Sequence, residues 1–367
     1  MSDETQRRRT LPSWLLPTPA RRDERAGPPL RGFTLRLMRG EDLRREEAAA
    51  LLDALLDGGA TDAQIGAALV ALAVKGETVE ELAGLATAMR RRAVRIRTRH
   101  ARFVDTAGTG SSAAKCFNVS TAAAFVIAGA GLPVAKHGSR AATSCSGSAD
   151  VLGALGVEVT AAPEVSERCL DELGVCFMFA PLYHGATARV AGVRRELGVH
   201  TTFNLLGPLT NPAGAPRQVI GVWHEALVEP VAHTLLALGT ERAWVVHGLD
   251  GLDEVTLDGR TKVAEVAGGA VRVFEVGPED FGLGRSTLEE LRGGDAAANA
   301  GIIRAVLAGE RRDAARSLVV ANAAAALLVG GEAPDPREAA RLAERSIDTG
   351  AALGKLEALA RASKGGG

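Results

Sequence analysis

Residues 105–150 read DTAGTGSSAAKCFNVSTAAAFVIAGAGLPVAKHGSRAATSCSGSAD, and their interpretation decides the fold. The stretch holds a glycine turn (Gly108, Thr109, Gly110), then Asn118-Val119-Ser120-Thr121, then an apolar run of helical composition. Lys136-His137-Gly138 follow, and after them a hydroxyl-rich segment from Ser139 to Ser148. Glycines that bare backbone N–H groups, hydroxyl donors and one lysine are what an anion site needs. Two such clusters flanking one buried run describe a strand, a helix and a second strand whose loops meet at one edge. Ordinary Gly/Ser turns of an α/β core would account for either cluster alone; the pair together favours a phosphate site.

Downstream the alternation continues. The region of Val104 leads into the glycine turn, residues 120–130 have helical composition, and Val134-Ala135 form a short strand. A helix is expected over 149–155, closed by Gly156, and a strand over Val157-Glu158-Val159. Residues 175–180 (VCFMFA) are a near-continuous apolar run, as a strand buried on both faces should be. Residues 186–198 return to helix, and residues 204–212 (NLLGPLTNP) read as a turn-rich loop. Buried strands follow at 219–222 and 243–246, an antiparallel appendage at 265–276, and helices at 296–307 and 314–329.

Upstream the pattern is helical without strands. Leu35, Leu37 and Met38 open it, and residues 43–56 repeat apolar positions at three and four before Gly58-Gly59. Thr61-Asp62-Ala63-Gln64 has the form of a capping box, and Thr78-Val79-Glu80-Glu81 starts another helix that runs to Arg92. The first 32 residues are rich in Arg and Pro with little to bury, which predicts a disordered tail. The fold class is therefore α/β, a mostly parallel central sheet flanked by helices, with a small N-terminal all-α domain. The expected spans are 1–32 for the tail, 33–97 for the helical domain and 98–362 for the α/β domain. Helices from about 186–210 are allowed to join the helical domain.

A net charge of −1 supplies no field that would draw the chain to nucleic acid or an anionic membrane. No uninterrupted apolar run reaches the roughly 20 residues needed to span a bilayer. Four cysteines without paired metal spacing or a disulfide framework point to a reducing cytoplasm. Basic residues are overwhelmingly arginine, which singles out the rare Lys136 and Lys262.

Two further clusters carry chemistry. His247-Gly-Leu-Asp-Gly-Leu-Asp253-Glu254 follows a buried strand, where ligand-bearing loops lie, and adjacent carboxylates suit a hard cation such as Mg²⁺. A solvated acidic turn is the competing reading; His247 is taken as structural and Asp250 as holding the turn. Tyr183-His184 precede Val193-Arg194-Arg195-Glu196. Successive helix positions point about 100° apart, so one arginine can meet a carboxylate while its neighbour meets solvent.

Taken together, VALAVKGET, FNVSTAAAF, VAKHGSR, SGSADVLGALGV, FMFAPLYH, VRRELGV, FNLLGPLTNPAGAPRQ and VVHGLDGLDEVTLDG resemble the anthranilate phosphoribosyltransferase family from about Phe33 to the C-terminus. That family belongs to tryptophan biosynthesis and shares its fold with pyrimidine nucleoside phosphorylases. The resemblance implies a helical domain hinged to an α/β domain, a cytoplasmic homodimer formed through the helical domain, and an active site in the cleft. Phosphoribosyl pyrophosphate would lie on Gly108, Thr109, Gly110, Ser111, Ser112, Cys116, Asn118, Val119, Ser120, Thr121, Lys136 and Ser148. Mg²⁺ would be held by Ser120, Asp253 and Glu254. Anthranilate would meet Gly108, His137, Ser139, Pro208 and Arg194, and no acid or base is assigned. The sequence departs from the family's usual pattern at Ser111, Ser112, Cys116, Ser139, Cys145 and Gly185. Two alternatives stay open here: a paralogue with another aromatic acceptor, and a non-catalytic member that binds nucleic acid or protein.

Overall fold

A helix that is apolar on every side has to be enclosed on every side, and residues 119–129 and 314–330 are both of that kind. In the computed structural model of the chain, which describes residues 29–110, 114, 116–141 and 146–365, both are buried along nearly their whole length. They form one continuous core with the sheet. Each Leu or Val so enclosed contributes about 1.5–3 kcal/mol. Residues 1–28, with most of the expected tail, lie outside the described residues, as do Ser111, Ser112 and Cys145.

The chain begins with α1 (Pro29–Met38), α2 (Arg45–Leu56), α3 (Asp62–Lys75) and α4 (Val79–Arg92). Thr61 caps α3 as its sequence predicts: its side chain accepts from Gln64 N while Gln64 Oε1 accepts from Thr61 N at 2.9 Å. Glu81 is fully buried on α4, salt-bridged to Lys75 at 2.8 Å, and accepts from Leu43 N and Thr78 N. Pro29 stands at the first helical position, where its missing N–H costs nothing, so α1 starts inside the span expected to be tail.

Then come β1 (Val104–Asp105), α5 (Val119–Gly129), β2 (Val134–Gly138), α6 (Ser148–Ala154), α7 (Pro163–Leu173), β3 (Val175–Phe179), the short α8 (Ala180–Tyr183), α9 (Ala188–Leu197) and α10 (Thr202–Leu209). The rest is β4 (Arg217–Gly221), α11 (Val228–Ala237), β5 (Arg242–Gly248), β6 (Thr261–Ala267), β7 (Ala270–Val276), α12 (Ala296–Leu307), α13 (Ala314–Gly330), α14 (Pro336–Asp348) and α15 (Ala351–Ala362). The chain divides into two compact units. One runs to Arg92 and takes in Ala186–Leu206; the other comprises Ala93–Gly185 and everything from Gly207 onward.

The second unit holds a seven-stranded sheet in the order β3-β2-β1-β4-β5-β6-β7. β1 to β5 pair in parallel, and β6 and β7 continue the same sheet antiparallel, where the sequence reading expected an appendage. From β1 the chain winds outward through β2 and β3, then returns to place β4 on the other side of β1. The crevice at the carboxyl ends of β1 and β4 is thus a topological switch point, where open α/β sheets bind their ligands.

Several local expectations are corrected. Val157–Val159 is not a strand, because two of its N–H groups and the Glu158 side chain are tied up locally or with the C-terminus. Val157 N closes the end of α6 on Leu152 O, Glu158 N donates to Ser363 Oγ, and Thr160 N donates to Glu158 Oε1. Residues 204–209 are helix rather than loop. Leu205, Leu206 and Leu209 bury one apolar face, which outweighs the turn preference of Gly207 and Pro208. β2 extends to Gly138, so Lys136 and His137 stand on a strand and not in the loop after it.

Candidate active site

At the end of β1, Asp105 gives way to the glycine turn. Gly110 adopts a left-handed φ of 62°, and Thr109 N donates to Gly221 O, the last residue of β4, at 2.8 Å. A Cβ on Gly221 would lie 1.7 Å from Asp253 O, and one on Gly108 would lie 3.1 Å from Gly221 O. The backbones of the glycine turn, the end of β4 and the acidic loop after β5 are therefore stacked in direct contact.

Lys136 points from β2 into this layer and is buried. Its Nζ donates to Thr106 O at 3.4 Å, Thr106 Oγ1 at 3.3 Å and Ser120 Oγ at 3.4 Å. All three are longer than the 2.7–3.2 Å of a good N–H···O bond, and no carboxylate of the described residues forms a salt bridge with it. Burial lowers the Lys136 pKa, while Asp105 and Glu254 pull it back up. A buried ammonium so loosely held has the chemistry to take an anion.

Ser120, in the first turn of α5, donates its backbone N–H to Glu254 Oε1 at 3.3 Å. Burial raises the Glu254 pKa, and the adjacent Asp253 charge raises it further. Burial also pushes the Cys116 thiol up, with Glu254 and Asp253 adding to it, so Cys116 is no thiolate. Thr121 Oγ1 is buried with no hydrogen-bond partner among the described residues. Val119 is the first, buried residue of α5.

No group of three or more His, Cys, Asp and Glu set to hold a metal occurs among the described residues. Two adjacent carboxylates and a hydroxyl nevertheless fit Mg²⁺, which takes hard oxygen ligands and keeps waters and substrate phosphate oxygens for the rest of its shell. A cation there would also relieve the repulsion between Asp253 and Glu254.

Asn118 uses its amide within the protein. Its Nδ2 donates to Ser146 O at 3.1 Å and its Oδ1 accepts from Asn299 Nδ2 at 3.0 Å. Gly294 N donates to Asn299 Oδ1 at 2.7 Å and so fixes which way that amide points. Asn299 was missed by sequence reasoning; its signal is a lone amide in the small-residue run of α12. Ser148 starts α6, and its Oγ donates to Ser139 O at 3.3 Å. The Ser139 side chain is exposed.

His137 is buried. Its Nδ1 meets Gly207 O at 3.1 Å, an arrangement that requires Nδ1 to carry the proton and leaves Nε2 a bare lone pair. Burial, then His184 with ring centroids 5.2 Å away, depress the His137 pKa to about 3; burial takes His184 to about 4. Both rings are neutral at physiological pH. Pro208 is buried beside this segment, its carbonyl accepting from Gln218 Nε2 at 2.9 Å.

Arg194 is carried by the other unit. It is half-buried on α9, with its guanidinium 5.2 Å from the Phe203 ring centroid and NH2 3.4 Å from Asn204 Oδ1. Its pKa is lowered by burial, and no carboxylate of the described residues forms a salt bridge with it. Arg195 is exposed. His247 Nδ1 bonds to Val222 O at 2.7 Å, and Asp250 accepts from Leu252 N and Thr256 Oγ1, so both are structural.

Residues 32–93 match the helical bundle domain of a glycosyl transferase family, and residues 100–353 match its a/b domain. Both modules of that class of enzyme are present, in that order. An anthranilate phosphoribosyltransferase of Moorella thermoacetica is 53% identical over 324 residues, 88% of this chain and 95% of that protein. The crystal structure of the anthranilate phosphoribosyltransferase from Thermus thermophilus has a TM-score of 0.86 and 40% identity, over 92% of this chain and all of that one. The Saccharomyces cerevisiae enzyme, solved in complex with PRPP and Mg, has a TM-score of 0.84 and 27% identity over 92% and 98% of the two chains. The same yeast enzyme has also been solved with 4-fluoroanthranilate. The chain belongs to the anthranilate phosphoribosyltransferase family of glycosyl transferases.

Proposed function

We infer that the protein transfers the 5-phosphoribosyl group of phosphoribosyl pyrophosphate to the amine of anthranilate and releases pyrophosphate, a step of tryptophan biosynthesis. The observation that carries this reading is Lys136: a buried ammonium at the switch point, under-bonded by its own protein, beside two carboxylates and the first turn of α5. Membership of the family supports it.

The amine nitrogen attacks the anomeric carbon as the bond to pyrophosphate breaks. The pyrophosphate leaves with the bonding pair, and the nitrogen then loses a proton to water. The leaving group gathers negative charge, and Lys136 with the backbone donors of Gly108–Gly110 is positioned to stabilise it. Thr109 has its N–H committed to Gly221 O, so Gly108 and Gly110 supply the turn's donors. Ser111 and Ser112, next in the sequence, belong to the same phosphoribosyl pyrophosphate site in this reading, and Thr121 Oγ1 and Ser148 supply hydroxyls. Asn118 and Val119 set the entry to α5, with Asn118 acting through the Ser146 loop, and Cys116 lines the site as a neutral thiol. Ser120, Asp253 and Glu254 would hold Mg²⁺, which supplies charge neutralisation of the pyrophosphate. An aromatic amine attacking an oxocarbenium-like carbon needs placement more than deprotonation, so no residue is assigned as acid or base.

Gly108, His137, Ser139 and Pro208 form the acceptor side. Arg194, a half-buried cation, takes the anthranilate carboxylate. A homodimer through the helical unit belongs to the same reading. A groove of about 1270 Å³ on that unit is lined by Leu37, Met38, Val70, Val74, Val193 and Leu197, and Val74 is 83% exposed. Cytoplasmic residence fits the unpaired Cys116, Cys169 and Cys176. No helix among the described residues is long and apolar enough to cross a membrane.

The test is an assay of the purified protein with phosphoribosyl pyrophosphate, Mg²⁺ and a panel of aromatic amines. Transfer to anthranilate well above transfer to aniline is expected. Transfer to some other amine with anthranilate unused, or to none, would overturn the reading.

A further inference from the structure

The most enclosed carboxylate in the second unit belongs to Asp105, fully buried at the end of β1. Among the described residues no salt bridge satisfies it; three N–H donors do. Oδ1 accepts from Ala107 N at 3.1 Å and from His137 N at 3.2 Å, and Oδ2 accepts from Asn211 Nδ2 at 2.7 Å. Each donor belongs to a different segment. Ala107 immediately precedes the glycine turn, His137 is on β2, and Asn211 follows α10 three positions after Pro208.

The Asn211 amide cannot turn over to suit a different partner. Ala213 N donates to its Oδ1 at 2.9 Å, and its Nδ2 also donates to Ala135 O at 2.9 Å. Position 105 must therefore present acceptors on both sides, which an ionised carboxylate does and an amide cannot. With Asn at 105, either orientation sets an N–H against an N–H, toward Asn211 or toward the two backbone amides. A buried donor left unsatisfied is costly enough to move the segments that meet there.

We propose that Asp105 is a positioning residue that locks the glycine turn on the pyrophosphate side to the His137 and Pro208 segments on the acceptor side, so that the two substrates are held in register. The proposal rests on the function inferred above. Burial raises the Asp105 pKa to about 6; Lys136, next to His137, and the three N–H donors work against that rise, so the carboxylate is ionised at neutral pH. Asp105 touches no reacting atom, so its effect runs through the placement of the groups that do.

The experiment compares full-length wild type with Asp105→Asn, Asn211→Asp, the two substitutions combined, and Asn211→Ala. Each is measured for thermal stability, kcat, and KM for both substrates. Asp105→Asn should raise both KM values together and lower kcat/KM on the order of 100-fold, as small misplacements do. The combined variant should recover roughly tenfold of that, because amide at 105 and carboxylate at 211 again set donor against acceptor; the loss that remains reflects a carboxylate oxygen at 211 set against Ala135 O. A merely structural role would lower stability and kcat while leaving both KM values alone.

Wild-type KM values in a folded Asp105→Asn, or a combined variant no better than the poorer single one, would overturn the proposal. Should Asp105→Asn fail to fold, Asn211→Ala decides: it keeps the carboxylate and its two backbone donors and removes the tie to the Pro208 segment, together with the Asn211 bonds to Ala135 O and Ala213 N. A raised acceptor KM with an unchanged phosphoribosyl pyrophosphate KM is then expected, and an unchanged acceptor KM overturns the proposal. Failure of the inferred function would show separately, as wild type that transfers nothing to anthranilate. Calorimetric titration of the same variants with phosphoribosyl pyrophosphate and Mg²⁺ would then replace turnover, and unweakened binding by Asp105→Asn would overturn the proposal.

Discussion

Ser120 donates its backbone N–H to Glu254 Oε1 at 3.3 Å across 134 positions of sequence. The first turn of α5 and the acidic loop after β5 are joined by that bond, and a carboxylate otherwise crowded by Asp253 is held in place.

Combining Asp253→Asn with Glu254→Gln should therefore separate function from stability. Burial and like charge raise the Glu254 pKa, so the neutral amide relieves strain, and Gln Oε1 still accepts from Ser120 N. The melting temperature of the ligand-free protein should hold or rise. Turnover should fall at least about 100-fold, the scale of losing a preorganised electrostatic group. Wild-type rates across a Mg²⁺ titration would show that the two carboxylates hold no metal.

Arg194→Ala tests the acceptor carboxylate. A hydrogen-bonded charge of this kind contributes about 2 kcal/mol, or roughly thirtyfold in kcat/KM for anthranilate. KM for phosphoribosyl pyrophosphate should barely move, and activity with aniline should be insensitive to the change. Equal losses with both amines would remove carboxylate recognition from Arg194.

The His137–His184 pair predicts an acid-side loss of stability. Both pKa values are depressed in the folded chain, to about 3 and about 4, against about 6.5 unfolded. The unfolded state therefore binds more protons between those limits, and stability falls as pH drops below about 6.5. Each buried ring forfeits up to about 1.4 kcal/mol per pH unit in that window. Urea midpoints from pH 7.5 to 5 should fall less steeply for His184→Gln than for wild type. Parallel slopes would mean that His184 does not titrate as its burial implies.

Val74→Glu tests the dimer. Val74 is largely exposed on α3, so the charge costs the isolated chain little, but burying it unpaired against a second copy would be prohibitive. Light scattering should show a dimer for wild type and a monomer for the variant. The same mass for both proteins would exclude this face as the interface.

What was legible in the sequence was what local chemistry decides. Thr61 and Gln64 announced a helix start, VCFMF a buried strand, and the all-apolar run after Asn118 an enclosed helix. Lys136 and His137 were harder to place on β2, because a charged and a polar residue interrupt the pattern by which buried strands are recognised. Residues 157–159 have the composition of a strand, but Ser363, 205 residues from Glu158, takes its N–H. Asn299 and Asn211 meet partners 181 and 106 positions away, and nothing near them in sequence reports it. The site's chemistry is written in short motifs, and its scaffolding in pairings that only the folded chain reveals.

Gly221 gives the site a built-in ruler. With 1.7 Å between Asp253 O and the place where a Cβ would stand, even one methyl group there would force the end of β4, and the glycine turn bonded to it, away from the acidic loop. In the proposed site, the separation of the donor's phosphates from the metal is thus set at a position that carries no side chain at all.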